Sequence, residues 1–384
     1  MRLYLTALNP TDSVTNGFLP AARALGCEVT LLTDQPERHP GVEALRTDVR
    51  DVRSVIDTIA RHHPPEAIFS NSDHIQPETA LAADYFGLPR KDWCACLTAK
   101  NKALTRDRLA AAGVETVWSV RLAPGDPVPG DLPYPVVVKP REGVASEDVV
   151  LAVDGGELAR VVEDIRSRRP GATLVAEEYL EGPLHTLETL GDGRALHVLG
   201  GFRTTLGPLP HFVEERLDWH PPDPAWQEHV LRALTAIGVG FGACHTEYVL
   251  TARGPRIVEV NYRVIGDTCD FLLAEMLGVP LFEWILRVHL GEPAMTPPHA
   301  AGHGAAVSLI AGRSGTIQEA PGDVTDTIQG VRLCHRPLRP VGETVELTRT
   351  NRDYLGIVRA TGPDEQAVNG AIDAFRARSP WVVE

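Results

Sequence analysis

Over the first 90 residues, short apolar runs alternate with amphipathic stretches: RLYLTAL, a helix-like segment around Ala21–Leu25, EVTLLTD, a second helix-like segment from Val52 to His62, and AIFSNSD. This βαβαβ rhythm predicts a small parallel sheet with right-handed crossovers. The first strand-to-helix loop, Asn9 to Gly17, holds one glycine and lacks GxGxxG spacing, so the dinucleotide fingerprint is missing.

Beyond Leu88-Pro89 the pattern changes. LTAKNKALTRDRLAAAGV repeats apolar and basic residues at helical spacing and predicts one helix ending at Gly113. The turn-rich LAPGDPVPGDLPYP marks a boundary. VVVKP and VVLAV then read as a hairpin around the small-residue loop REGVASED, followed by a helix from Gly156 to Arg168 and a strand, TLVAEEYL, that stops at Glu181-Gly182-Pro183. From Pro183 to about Gly291 the strands LHTLETL, ALHVLGGF, HTEYVL and RIVEVN predict an antiparallel sheet, with helices near Ala225–Ile237 and Thr268–Leu277. Residues 292–384 open in a Pro/His/Gly-rich linker, carry turn-punctuated strands and end in a helix near Glu365–Arg376.

With 384 residues, 43% of them hydrophobic and 23% charged, the chain can bury an ordinary core in two or three domains. Its net charge of −14, without any basic run, disfavours nucleic acid as a partner. Six scattered cysteines form neither a zinc-ribbon pattern nor a disulfide framework. The start lacks the signature of a secretory leader and no long apolar stretch follows, so the expectation is a cytoplasmic protein with no membrane partner. One compositional bias matters more. Only four of the 37 basic residues are lysines: Lys91, Lys100, Lys102 and Lys139.

Lysine is a compact point charge suited to one phosphate oxygen, whereas arginine forks across a carboxylate. Lys102 begins a helical stretch, and Lys139 ends an apolar strand just before a proline, where its stem would be covered. A strand lysine snorkelling to solvent is the alternative. Lys91 and Lys100 are expected at the surface. The loop Arg141–Ser146 following Lys139 has the small residues that let backbone N–H groups approach an anion. Glu247 lies in HTEYVL, and Glu259 and Asn261 lie two apart in RIVEVN, hence on one strand face. Two carboxylates and a carboxamide oxygen suit Mg²⁺ shared with phosphates, against the alternative of a solvated outer face. Arg263, two further on, would set a cation beside that metal. There is no HExxH, GxSxG or GxxxxGK[ST] motif, and His211 and His245 read as ordinary loop or core histidines.

In this order, AKNKALTRDRLAAAGV, YPVVVKPREGVASEDVVLAV, LVAEEYLEGPLHTLETL and HTEYVLTARGPRIVEVNYRVIGD, the segments between residues 65 and 360 resemble the ATP-grasp superfamily and within it the carboxylate–amine ligases, L-amino-acid ligases included. The resemblance implies an α/β (α+β) fold: a Rossmann-like N-terminal domain at 1–95, a small nucleotide-binding subdomain at 96–180, and a large antiparallel-sheet subdomain at 181–384 with a lid or barrel-like extension from about 296. It also implies ATP held by Lys102, Lys139 and Ser146, adenine at Glu177, Glu178, Tyr179 and Leu180, Mg²⁺ (or Mn²⁺) on Glu247, Glu259 and Asn261, and an acyl phosphate steadied by Arg263. GPLHTLE departs from the common GPEFSVE, since Leu184 stands where an acid often binds the ribose; His185 or Glu188 would substitute. Arg203 stands where a lysine is frequent.

The activity so implied is activation of a small carboxylate as an acyl phosphate by ATP and its capture by an amine, in the service of natural-product biosynthesis. Arg203, His211, Glu214 and Arg263 are the expected substrate contacts, and a homodimer is the expected assembly. An acid–thiol ligase or carboxylase would share the activation half. A catalytically silent nucleotide sensor is the alternative of another class.

Overall fold

The computed structural model describes residues 1–384. At the N-terminus, β1 (Arg2–Thr6), β2 (Glu28–Thr33), β3 (Glu43–Arg46) and β4 (Ala67–Ser70) form a parallel sheet in the order β3-β2-β1-β4. β1, β2 and β4 are buried almost throughout because helices cover both faces, which explains their continuous apolar runs. The covering helices include Val52–His62, capped by Asp51, and Gln76–Tyr85. A third, Leu281–His289, comes from far along the chain. Its Leu281 and Ile285 share one core with Leu3, Leu5 and Phe18, and the rings of Phe18 and Phe282 meet edge-on at 5.0 Å. Only glycine fits beside that ring: a Cβ on Gly17 would lie 2.4 Å from Phe282 Cε1.

The expected single helix around Lys100 is two, Trp93–Lys100 and Lys102–Ala111. Asn101 breaks it, leaving the helical region and accepting from Leu104 N through its side chain, as an N-cap does. A four-stranded antiparallel sheet follows, β5 (Ser119–Leu122), β6 (Val136–Pro140), β7 (Val150–Ala152) and β8 (Leu174–Glu178), in the order β5-β8-β6-β7, and helix Gly155–Arg168 covers it.

The remaining sheet has ten strands. β9 (Leu184–Asp192), β10 (Leu196–Gly200), β11 (Phe202–Leu206), β12 (Glu214–Trp219), β13 (Phe241–Thr251) and β14 (Gly254–Asn261) make up one half. β15 (His303–Ile310) pairs with β12, so the strands after the linker continue the same sheet. A three-stranded piece of β16 (Gly315–Glu319), β19 (Thr344–Val345) and β21 (Val382–Val383) stands apart, while β17 (Val324–Ile328), β18 (Val331–Pro337) and β20 (Tyr354–Gly362) complete the large sheet. Helix Pro224–Ile237 packs on the outer face of β14, and helix Cys269–Leu277 packs on β15 and β20. No helix is long and apolar enough to cross a membrane.

Candidate active site

β13 and β14 form a hairpin whose register sets Glu247 directly opposite Glu259 and His245 opposite Asn261. Directly opposed residues on antiparallel strands have their Cβ atoms about 5 Å apart, so both carboxylates reach one point. All four side chains line a cavity of about 690 Å³ between the three sheets. Lys102, at the first turn of its helix, crosses to this hairpin and places Nζ 2.8 Å from Glu259 Oε1. Burial disfavours the Glu259 charge, yet the Lys102 ammonium outweighs it and holds the carboxyl below its usual range.

Lys139, the penultimate residue of β6, is buried, as its strand predicts, with Nζ 2.8 Å from Glu177 Oε2. Arg106 grips the same carboxylate from behind, at 3.0 and 2.9 Å, and is tied in turn to Glu115, which His229 meets at 2.8 Å. One carboxylate thus serves two buried cations. Burial alone would raise Glu177, but Arg106 and Lys139 together bring it down to about 2. Lys139 itself is lowered, because burial and the repulsion of Arg106 and Lys102 exceed what the shared Glu177 returns. The side chain of Glu177 is fully engaged; that of Glu178 is bonded to Trp118 N and Arg253, and Tyr179 and Leu180 follow along the cavity wall.

Ser146 lines the same cavity in the loop after Lys139, and both Ala145 and Ser146 have positive φ, 58° and 53°. That loop is held down at its outer end: Asn351 N donates to Ala145 O, and Arg352 Nε meets Glu147 Oε1 at 2.7 Å. Arg263 also faces the cavity, where its Nε donates to Asp73 Oδ2 at 2.7 Å and its Nη1 to Val264 O. Glu214 is there too. Burial, then Glu247 and Asp267, push its carboxyl upward.

Three expectations are corrected. His185 does not face the cavity: the two-residue period of β9 turns Leu184 and Thr186 inward and His185 outward, where it stacks among Tyr248, His220 and Trp226. Arg203, its register partner on β11, lies on that same outer side and is exposed, while Thr204 faces in. The side chain of His211 is also outside the cavity wall; its segment instead bridges to Val150 of the small sheet, with Leu151 N donating to Pro210 O. The expectation of surface lysines fails as well. Lys91 is only 4% exposed, donating to Gln76 Oε1 at 2.9 Å and to Tyr262 O at 2.5 Å, and Lys100, largely enclosed, reaches Gly143 O.

Sequence reasoning missed Asp73, Arg106 and Lys91. Asp73 had one available signal: it lies just past the carboxyl end of a parallel strand, where open α/β sheets bind ligands. His245 is a buried, satisfied histidine that nevertheless shapes the site. Burial opposes its charge, but Glu188 at 2.7 Å and Glu247 at 3.4 Å drive it up to about 10, so it is a fixed cation beneath the acids.

The donor set fits a hard divalent cation. Glu247, Glu259 and Asn261 offer oxygens only, and two further acids, Glu214 and Asp267, line the same cavity. No group of three carboxylate, histidine or cysteine ligands is gathered, since the third donor is a carboxamide and Glu259 is engaged by Lys102.

No known family's sequence profile matches the chain. It is 26% identical to the uncharacterized protein y4rH of Sinorhizobium fredii, covering 100% of this chain and 84% of that one. It is 26% identical to human carnosine synthase 1 over 74% of this chain, and spans only 39% of that protein's length. Among solved structures, an L-amino acid ligase from Bacillus licheniformis superposes with a TM-score of 0.83 at 20% identity, covering 100% of this chain and 98% of that one. The biotin carboxylase domain of a Hydrogenobacter thermophilus 2-oxoglutarate carboxylase, solved with MgADP and bicarbonate, superposes at 0.72 with 16% identity, over 100% and 90%. The three larger sheets around one cavity, with two buried lysines facing an acidic hairpin, have the ATP-grasp fold. The proteins it resembles in sequence and in fold include amide-forming ligases, carnosine synthase and an L-amino acid ligase among them.

Proposed function

We infer that the protein is an ATP-dependent ligase that converts a small carboxylate to an acyl phosphate and joins it to an amine, releasing ADP and phosphate. The observation that carries this reading is the convergence of Lys102, Lys139, the Glu247–Glu259 pair, Asn261 and Arg263 on one enclosed cavity. The proposed domains are residues 1–95, 96–180 and 181–384, with a C-terminal extension from about 296.

In this mechanism the nucleotide lies between the small sheet and β9. Tyr179 and Leu180 line the adenine end, with backbone groups of the Glu177–Leu180 segment reading the base. Lys102 and Lys139 hold phosphate oxygens, and the backbone of Val144–Ser146 closes over the γ-phosphate. Glu247, Glu259 and Asn261 would hold Mg²⁺, which when bound neutralises and orients the phosphates. The substrate carboxylate attacks the γ-phosphorus, the β–γ bridging oxygen leaves with ADP, and Arg263, oriented by Asp73, neutralises the oxygens of the acyl phosphate. An amine then attacks the acyl carbon and phosphate departs. The loop pinned by Asn351 and Arg352 keeps water from that intermediate. An amide product suits a biosynthetic ligase of small metabolites.

The test is a panel of amino acids and other small acids, paired with amines and Mg-ATP, scored by phosphate release and product mass. If no pair releases phosphate above background, the ligase reading fails.

A further inference from the structure

At the end of the cavity walled by the N-terminal loops, the charges do not balance. Arg336 is matched by Asp12 in a two-pronged contact at 2.8 and 2.9 Å, Arg263 by Asp73, and Arg352 by Glu147. His74 also lines this end, and burial holds its imidazole toward the neutral form. Two carboxylates remain. Neither Asp267 nor Glu214 has a hydrogen-bonded or ion-paired partner for its side chain; they repel one another, and Glu214 also feels Glu247, Glu259 and, with the opposite sign, His245. Arg263, Arg352 and His245 act on Asp267 only through space, and burial outweighs all three.

Beside Asp267, Thr268 stands at the N-cap of helix Cys269–Leu277 but makes no capping bond. It is 5% exposed, its enclosed Oγ1 has no partner, and the residue is part of the cavity wall. A threonine at an N-cap ordinarily spends that oxygen on the helix. Here Asp267 and Thr268 both hold positive φ, 53° and 62°, an uncommon backbone for an aspartate and an outlier for a β-branched residue. That backbone costs stability of the kind found at ligand clamps.

We propose that Asp267, Thr268 Oγ1 and Glu214 form a subsite for a second positive charge on the substrate, so that the enzyme takes a basic amino acid carrying a side-chain ammonium or guanidinium. The inference rests on the ligase reading for the neighbouring chemistry, and it names the substrate class of that same cavity. An ordinary zwitterion brings one ammonium together with its own carboxylate and leaves an acid unmatched. A basic amino acid brings two cations. Thr268 Oγ1 accepts one N–H while Asp267 supplies the counter-charge, and Arg263 stays free of both to serve the carboxylate.

The experiment is calorimetric titration of the 384-residue chain, loaded with Mg²⁺ and a non-hydrolysable ATP analogue, with matched pairs: lysine against norleucine and arginine against citrulline. The cationic member is expected to bind at least about tenfold tighter. Asp267→Asn and Thr268→Val should each erode that ratio, while binding of the nucleotide analogue shows that the variants are folded. Equal binding within the pairs overturns the proposal, as does a preference that survives in Asp267→Asn. A lower Mg²⁺ stoichiometry in Asp267→Asn, without a change in the lysine ratio, would assign the acids to a second metal and also overturn it. Selective binding with no phosphate release from any acid and amine would leave the subsite standing and defeat the ligase reading alone.

Discussion

Lys102 Nζ lies 2.8 Å from Glu259 Oε1, across 157 residues of sequence. The proposed phosphate ligand and the proposed metal ligand thus neutralise each other inside a buried site, and each is released to its own partner when Mg-ATP enters. Glu259→Gln removes the negative member and leaves the Lys102 charge uncompensated. Phosphate release in that variant should fall about a hundredfold or more at saturating ATP. Near-full turnover would remove Glu259 from the metal set.

Asp73, just past β4 of the N-terminal sheet, holds Arg263 at 2.7 Å, and 190 residues separate them. It touches no reacting atom in the proposed chemistry; it aims the guanidinium. Asp73→Asn should lower kcat by about 10- to 100-fold while leaving KM for ATP nearly unchanged. Equal losses in both parameters would show that Asp73 does no more than support the fold.

Glu177 stands between Arg106 and Lys139, and Glu177→Gln leaves Lys139 without a carboxylate and Arg106 with Glu115 alone. Breaking such an arrangement costs about 3–5 kcal/mol, readable by denaturant unfolding at neutral pH. The pH dependence has a definite sign. The folded-state pKa, about 2, lies below the ordinary 4.5, so the stabilisation is complete above pH 4.5 and is lost as pH falls toward 2. The gap between wild type and variant should close over that window. A gap independent of pH would refute the ion-pair account.

Lys91 fastens the carbonyl of Tyr262, the residue between Asn261 and Arg263, to Gln76 at the start of an N-terminal helix. Lys91→Met strands two buried acceptors, each worth about 1–3 kcal/mol, and should lower both melting temperature and turnover. Arginine should not rescue it. The space around the stem is tight enough that a Cβ on Gly242 would sit 2.8 Å from Lys91 Cε. Wild-type stability in Lys91→Met would contradict the assigned anchor.

The local content of the chain was open to a reading of residues alone. Alternating and continuous apolar runs mark the strands, turn residues mark their ends, and the scarcity of lysine singles out Lys102 and Lys139, both of which are buried at the cavity. Glu247 and Glu259 could be paired because a short turn joins their strands and leaves little freedom in register. The long helix expected through Asn101 failed because capping chemistry overrode a helical spacing that continues on both sides of it.

His185 and Arg203 show where such reading stops. β9 is buried on both faces over eight successive residues, so its pattern carries no mark of which face lines the cavity. The helix Pro224–Ile237 decides it by covering one side. Lys91 likewise shares its residue type with Lys102 and has no local sign of burial; a distant carbonyl and amide make its position tolerable. Residue order alone carries the periodicities, the caps and the chemical types available to the site. Which face each strand presents and which charges meet is set by the tertiary packing, because Asp73 with Arg263 and Lys102 with Glu259 come from segments far apart in the chain that only packing brings together.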